Sequence, residues 1–275
     1  MGTGNKPHLG RCVMSCELDF YWTISSPSCQ GPILFLQQNN ISFNAKKFDV
    51  RTQENRLNEA YGLLNPNRTV PFLNDAGFTV IESNSILRYL AEKYTSDSYW
   101  YPREIHSRSR IDQFLDWMNN NTRKSFQELV HLFFSWPDPM KRPKVIEDSV
   151  FGCEADWAFR LVSGLDAQYK FIENHWLNRN SYITGHYPTI ADLALWGDVK
   201  FLQITFEEFK LNTRFPQVKK WIDRMDCLFG HYESSKQFVS VLSVMAQQFQ
   251  LFGFPMTRSF KPEYDSDIRM DRQRS

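Results

Sequence analysis

Residues 65–90 read NPNRTVPFLNDAGFTVIESNSILRYL, and they carry the densest structural punctuation in the chain. Asn65-Pro66 starts a turn, and Val70-Pro71-Phe72-Leu73 is a short strand entered through proline, which lacks an N–H but tolerates that position. Asn74-Asp75-Ala76-Gly77 forms a hairpin-like turn, with Phe78 to Ile81 as the strand that follows. Ser83 then stands where a helix start needs a cap, and Ile86, Leu87, Leu90, Ala91 and Tyr94 repeat at helical spacing behind it. The stretch therefore predicts strand, turn, strand and helix.

Working outward, Glu17 to Ile24 (ELDFYWTI) is aromatic and β-prone and predicts a first strand. Ser25-Ser26-Pro27-Ser28 suits a helix start, since hydroxyls cap free amides and proline fits the first turn. The helix is expected to run to about Gln38, with Gly31 and Pro32 making its opening irregular. Ile41 to Val50 predicts a second strand. The order β-α-β, turn, β-β-α is that of a thioredoxin-like domain, expected over residues 16–96 after a loose extension at 1–15. Downstream the β signals stop. Tyr99-Trp100-Tyr101-Pro102 is an aromatic linker. Ile111, Phe114, Leu115, Met118, Thr122, Phe126, Leu129, Val130 and Phe133 trace one helix face, which the prolines at 137 and 139 end. Trp157 to His175 predicts another helix. Thr189 to Leu202 is apolar nearly all round, which predicts a buried central helix, and Thr189-x-x-Asp192 at its start is close to a capping box. Phe215-Pro216 precedes a helix through Met225, and Glu233 to Phe249 supplies a last one. The expected fold is thus an α/β thioredoxin-like domain followed by an all-helical domain over 104–252, with a tail at 253–275.

At 275 residues, 42% hydrophobic and 15% aromatic, the chain can bury a substantial core. Its formal net charge of +1 gives no electrostatic footprint for nucleic acid or an anionic membrane surface. Cys12, Cys16, Cys29, Cys153 and Cys227 form an odd set without C-x-x-C, poor material for a disulfide framework or a redox pair. The six histidines lack metal-ligand spacing, so no metal is expected. With neither a membrane-length apolar run nor a signal-peptide pattern, a reducing cytosol is the expected compartment.

Asn65-Pro66 with Val70-Pro71-Phe72-Leu73, followed by Glu82-Ser83-Asn84-Ser85-Ile86-Leu87-Arg88-Tyr89-Leu90, resembles the glutathione-site signature of cytosolic glutathione transferases. Asp97-Ser98-Tyr99-Trp100-Tyr101-Pro102 and Ser107-Arg108-Ser109-Arg110-Ile111-Asp112 resemble the theta class in particular. Thr189-x-Ala191-Asp192-Leu193 is similar to the capping motif of that family's buried sixth helix. The motifs fall in the family's order across roughly residues 17–250.

The resemblance implies glutathione as co-substrate, without a metal. The glutathione thiol, with a pKa of roughly 8.5, is mostly protonated at pH 7, so an enzyme must favour the thiolate, and a positioned hydroxyl donor does this. Theta-like enzymes take that donor from a serine just after the first strand. Ser25 heads the family-like Ser-x-Pro pattern, whereas ungapped alignment back from Ile41-Ser42-Phe43 selects Ser26, and both stand as catalytic candidates. Val70-Pro71 resembles the family's cis-proline, which would leave the Val70 amide and carbonyl to pair with the cysteinyl backbone as an added strand. Glu82 and Ser83 match the pair that holds the γ-glutamyl amine and carboxylate, Ser83 at a helix N-terminus that favours an anion. Arg56 falls near the family's basic residue for the glycyl carboxylate, and Asn120 and Arg123 where helix residues face the sulfur.

Plainer readings accompany each residue. The serines suit helix caps, Arg56 suits a solvated surface charge, and Arg123 suits an ion pair with an acid. Tyr21 and Trp22 suit the core. Cys29, about one helical turn past the serines, is expected to face the core rather than form a mixed disulfide. The resemblance implies a homodimer that adds the thiolate to an electrophile and can also reduce organic hydroperoxides. An isomerase or dehalogenase on the same fold is a further reading. A non-catalytic scaffold or binding protein is the alternative, fed by the extra residue beside the serines, by Gly31-Pro32 inside the first helix, and by Arg56 where histidine is usual.

Overall fold

The computed structural model describes residues 17–95, 98–128, 163–206, 209 and 211–251. The extension, the tail, the two prolines expected to end the long helix, and Leu129, Val130 and Phe133 lie outside the described residues.

Strand β1 (Leu18–Trp22) alternates, burying Leu18, Phe20 and Trp22 on one face and turning Asp19 and Tyr21 to the other. It is shorter than expected because Thr23 and Ile24 already leave for the turn before α1 (Pro27–Gln38). Strand β2 (Asn44–Lys47) runs parallel to β1, pairing Asp19 with Asn44 and Trp22 with Lys47. The rest of the expected second strand does not pair: Phe43 packs on the main core and Phe48 on an aromatic cluster across the sheet. Two short helices, α2 (Glu54–Leu57) and α3 (Glu59–Leu64), precede β3 (Phe72–Asp75). The third strand thus begins after Val70-Pro71 and absorbs Asn74 and Asp75, leaving Ala76 and Gly77 as the turn. Strand β4 (Phe78–Ile81) closes the hairpin over the expected residues and leads into α4 (Ser83–Tyr94). The sheet order is β2-β1-β3-β4, with β3 antiparallel to both neighbours. This is the thioredoxin-like arrangement.

Tyr21, Phe48, Tyr61 and Phe72 fill one face of the sheet with ring centroids 4.7–5.9 Å apart. Tyr21 is accordingly only half-buried, while Trp22 joins the main core as expected.

The helical half follows. Helix α5 (Ile105–Met118) passes through a π-turn at Asn119–Arg123 and continues to residue 128. Its predicted face is buried at Ile111, Phe114, Leu115, Met118, Thr122 and Phe126. Helix α6 spans 163–171 and ends in a π-turn at Ile172–Trp176. Helix α7 (Ile190–Thr205) is buried on all sides over most of its length. Thr189 and Asp192 form the capping box at its start. A single short turn, α8 (Leu211–Arg214), precedes α9 (Pro216–Phe229) and α10 (Glu233–Leu251).

One continuous core runs from the sheet through α1 and α4 into α7. Its tightest seam is α1 against α7, and two glycines permit it. A Cβ on Gly31 would sit 2.8 Å from the Leu193 carbonyl oxygen, and one on Gly197 would sit 2.4 Å from the Pro27 carbonyl oxygen. Both obstacles are backbone, which cannot swing aside as a side chain can. Gly31 is therefore a packing device, and α1 runs through both Gly31 and Pro32 without the irregular opening expected of it. Trp100 Nε1 donates to Asn39 Oδ1 at 3.1 Å, and Ser234 Oγ to Gln37 Oε1 at 2.6 Å, so the linker and α10 both fasten the far end of α1. No helix among the described residues is long and apolar enough to cross a membrane.

Candidate functional site

Strand register gathers three chain segments at one end of the sheet. Tyr21 pairs with Phe72, and Phe72 with Ile81. The chain leaving β1 (Ser25, Ser26), the chain entering β3 (Val70, Pro71) and the chain leaving β4 (Glu82, Ser83) therefore meet there. The N-termini of α1 and α4 open at the same end.

The two serines differ. Ser26 is the N-cap residue of α1, at φ −87° and ψ 119°, yet its side chain makes no capping bond; Pro27 occupies the first helical position. Its hydroxyl lies near the buried Cys29 thiol and favours the thiol's ionised form. Cys29 is fully buried, and burial pushes its thiol up to about 11, against the pull of hydrogen bonds from the Thr23 backbone and Ser26. Such a thiol is inert at neutral pH, which matches its expected place in the core. Gln30 Nε2 donates to the Ile24 carbonyl at 3.1 Å and holds the turn from below. Ser25, at the crest of that turn, is half-exposed.

The Val70–Pro71 peptide is cis, as the resemblance implied. The loop before it is tied down by side chains. Tyr61 Oη and Asn65 Nδ2 both donate to the Thr69 carbonyl, the latter at 2.8 Å, and Asn55 Nδ2 donates to the Arg68 carbonyl at 2.6 Å. Asn65, buried, also accepts the Asn67 amide at 3.1 Å, so it organises the loop beyond merely starting a turn. Among the described residues, the Val70 amide and carbonyl have no hydrogen-bond partner.

Glu82 is exposed, with φ 68° and ψ 119°, and occupies the N-cap position of α4; Ser83 is the first helical residue. Ser83 is thus not the cap that its sequence position suggested, because the left-handed bend falls one residue earlier. Neither side chain bonds the helix start, which leaves its amides open.

Arg56 lies in a cleft of about 440 Å³ lined by Asn55, Arg56, Asn67, Arg68, Thr69 and Val70. The structure thus brings Arg56 and Val70 together. Asn55, Asn67, Arg68 and Thr69 escaped the sequence reading, although they flank its turn-and-proline motif.

Asn120 and Arg123 part company. Asn120 is exposed, and its Nδ2 returns to the Asp116 carbonyl at 2.9 Å. Arg123 is buried: Nε donates to Asp198 Oδ2 at 2.6 Å, Nη2 to the Ala194 carbonyl at 2.9 Å, and Nη1 to Ser28 Oγ. The π-turn accounts for the inward reach, since it shifts the face that Arg123 presents from α5. Burial pushes the Asp198 carboxyl up, and the Arg123 charge opposes it. The plainer reading of Arg123 as an acid's partner thus describes its contacts. It touches the first turn of α1 at Ser28, rather than Ser25 or Ser26.

Among the described residues no group of three or more His, Cys, Asp or Glu could hold a metal ion.

Comparison with known proteins completes the picture. The family model for the glutathione S-transferase N-terminal domain matches residues 25–93, and that for the C-terminal domain matches 155–224. Glutathione S-transferase theta-1 of Rattus norvegicus is 29% identical over 180 residues, 64% of this chain and 70% of the relative. Dichloromethane dehalogenase of Methylophilus leisingeri is 28% identical over 216 residues, 77% of this chain and 76% of the relative. Among solved structures, human glutathione transferase theta-2 in complex with glutathione and an unknown ligand superposes with a TM-score of 0.71 at 20% identity, over 86% of this chain and 92% of its own. A delta-class glutathione transferase of Nilaparvata lugens superposes with a TM-score of 0.68 at 23% identity, over 86% of this chain and 100% of its own. The two family models together span about half of the chain, and the chain belongs to the glutathione S-transferase family.

Proposed function

We propose that this chain binds glutathione along the sheet end described above and conjugates its thiolate to electrophilic substrates. The observation that carries the reading is the unpartnered Val70 amide and carbonyl, flanked on one side by the Arg56 cleft and on the other by the open start of α4. An extended tripeptide carboxylated at both ends fits that order. Its cysteinyl backbone pairs with Val70 as an added strand. Its γ-glutamyl carboxylate meets the α4 amides at Ser83, with Glu82 beside its ammonium group. Its glycyl carboxylate reaches Arg56.

Ser25 is the hydroxyl that supports the thiolate, as a hydrogen-bond donor and not as a nucleophile. Ser25 stands in the turn between β1 and α1, whereas Ser26 is already the N-cap residue of the helix, which makes Ser26 the second candidate. The thiolate displaces a leaving group from carbon, forming a C–S bond as halide or another anion departs. A relative named as a dichloromethane dehalogenase makes small halides sensible first substrates. Reduction of organic hydroperoxides draws on the same thiolate. Exposed Leu63, Leu64, Phe78 and Ile81 supply apolar surface for the homodimer, and a cytosolic location fits the reading.

Titration of the purified protein with glutathione, followed by turnover with a dihalomethane and with cumene hydroperoxide, tests the proposal. Micromolar to millimolar binding is expected, with conjugation abolished in the Ser25→Ala/Ser26→Ala double variant. No binding would favour a non-catalytic scaffold.

A further inference from the structure

Arg68 lines the cleft beside Arg56, and its charge suggests a second ligand for a carboxylate. Its hydrogen bonds assign it other work. Arg68 Nη1 donates to the backbone carbonyls of Arg56 and Asn58, the latter at 2.9 Å. In return Asn55 Nδ2 donates to the Arg68 carbonyl at 2.6 Å. The loop before Val70 and helix α2 therefore grip each other twice, side chain to backbone in both directions. The Arg68 backbone is left-handed, at φ +52°, a conformation uncommon for a residue with a side chain. The guanidinium lies against Gly62 on α3, where a Cβ would sit 2.2 Å from Arg68 Nη2 and 2.4 Å from Cζ, so an added methyl group would push it from its present place. Helix α2 spans only Glu54–Leu57, too short to be stable on its own. Its last carbonyls lack helical partners, and a cation there is favourable.

Resting on the glutathione reading above, we propose that Arg68 is a positioning residue: a latch that fixes α2 against the loop and so holds Arg56 at the wall of the cleft. Affinity for the glycyl end of glutathione then depends on Arg68 without contact between them.

The test compares the full-length wild type with Arg68→Ala, Arg68→Lys and Gly62→Ala. Gly62→Ala is the decisive variant, since it displaces the guanidinium without changing the identity of any cleft residue. Alanine is the better helix former, so propensity alone would slow amide exchange in α3. The latch predicts the reverse: faster hydrogen–deuterium exchange over residues 54–64 in both Gly62→Ala and Arg68→Ala, with partial recovery in Arg68→Lys. Glutathione Kd rises about tenfold in the same two variants, the factor that about 1.4 kcal/mol corresponds to. The thiol pKa of the saturated complex stays at its wild-type value, which general destabilisation would not explain. Unchanged exchange in Gly62→Ala overturns the proposal, as does full wild-type affinity in that variant. If the wild type binds no glutathione, the functional reading falls and exchange alone decides the latch.

Discussion

The buried Arg123–Asp198 pair offers the sharpest test of the packing beneath the site. The two side chains are 6% and 1% exposed, and Nε meets Oδ2 at 2.6 Å. Asp198→Asn keeps the shape and one acceptor but removes the charge. Breaking a buried pair from one side costs about 3–5 kcal/mol, because the remaining ion is desolvated without compensation. The amide oxygen can still accept the Nε–H, which returns about 0.5–1.5 kcal/mol. The net expectation is a loss of about 2–4 kcal/mol in equilibrium urea unfolding, followed by tryptophan fluorescence and circular dichroism together. The Arg123→Met/Asp198→Leu double variant should lose far less than the sum of its singles, since apolar groups can fill a buried ionic site at little cost. Arg123→Met alone carries a pH signature. Without Arg123 nothing opposes the burial that raises the Asp198 carboxyl, so its folded pKa lies above the unfolded one. That variant is most stable in acid and loses stability as pH rises through the raised pKa. A single substitution costing under about 1 kcal/mol, or strictly additive singles, would refute the claim that this pair is buried and coupled.

Three further outcomes follow from the same structure. Gly197→Ala forces a Cβ against the Pro27 carbonyl and should cost about 1–3 kcal/mol in the same unfolding assay, despite alanine's higher helix propensity. Asp75 is buried, which raises its carboxyl, but hydrogen bonds from Lys93, Tyr89 and Tyr94 win and hold it below its ordinary value. It therefore contributes stability that is present above the unfolded pKa and lost as pH falls through the lower folded one; Asp75→Asn should flatten that acid limb in a thermal-unfolding pH series. Cys29, with its thiol near 11, should resist alkylation at pH 8 in the native protein while exposed Cys227 reacts, as peptide mass mapping would read.

The sequence made the element order legible because hydrophobic period and turn residues report local structure directly. The face of α5 and the Thr189–Asp192 capping box are examples, since each depends on spacings of three and four residues. The convergence of Val70, Glu82 and the serines at one sheet end also followed, through order and resemblance. What stayed hidden was set by contacts distant in sequence. Gly31 looked like a defect until Leu193 was seen across the seam, and nothing local announces that Arg123 reaches Asp198. Likewise, Arg68 reads as one more surface cation until the carbonyls of Arg56 and Asn58 and the bare face of Gly62 are set around it.

The central claim is that a serine hydroxyl at the end of β1 stabilises the thiolate of bound glutathione, and the thiol pKa of that complex tests it most directly. It is read from thiolate absorbance against pH in the wild type, Ser25→Ala and Ser26→Ala. The account predicts a wild-type value below the free thiol's, roughly 8.5, a return towards that value in Ser25→Ala, and a depressed value retained in Ser26→Ala. A thiol bound with no depression, or one that Ser25→Ala leaves as low as the wild type, would contradict it.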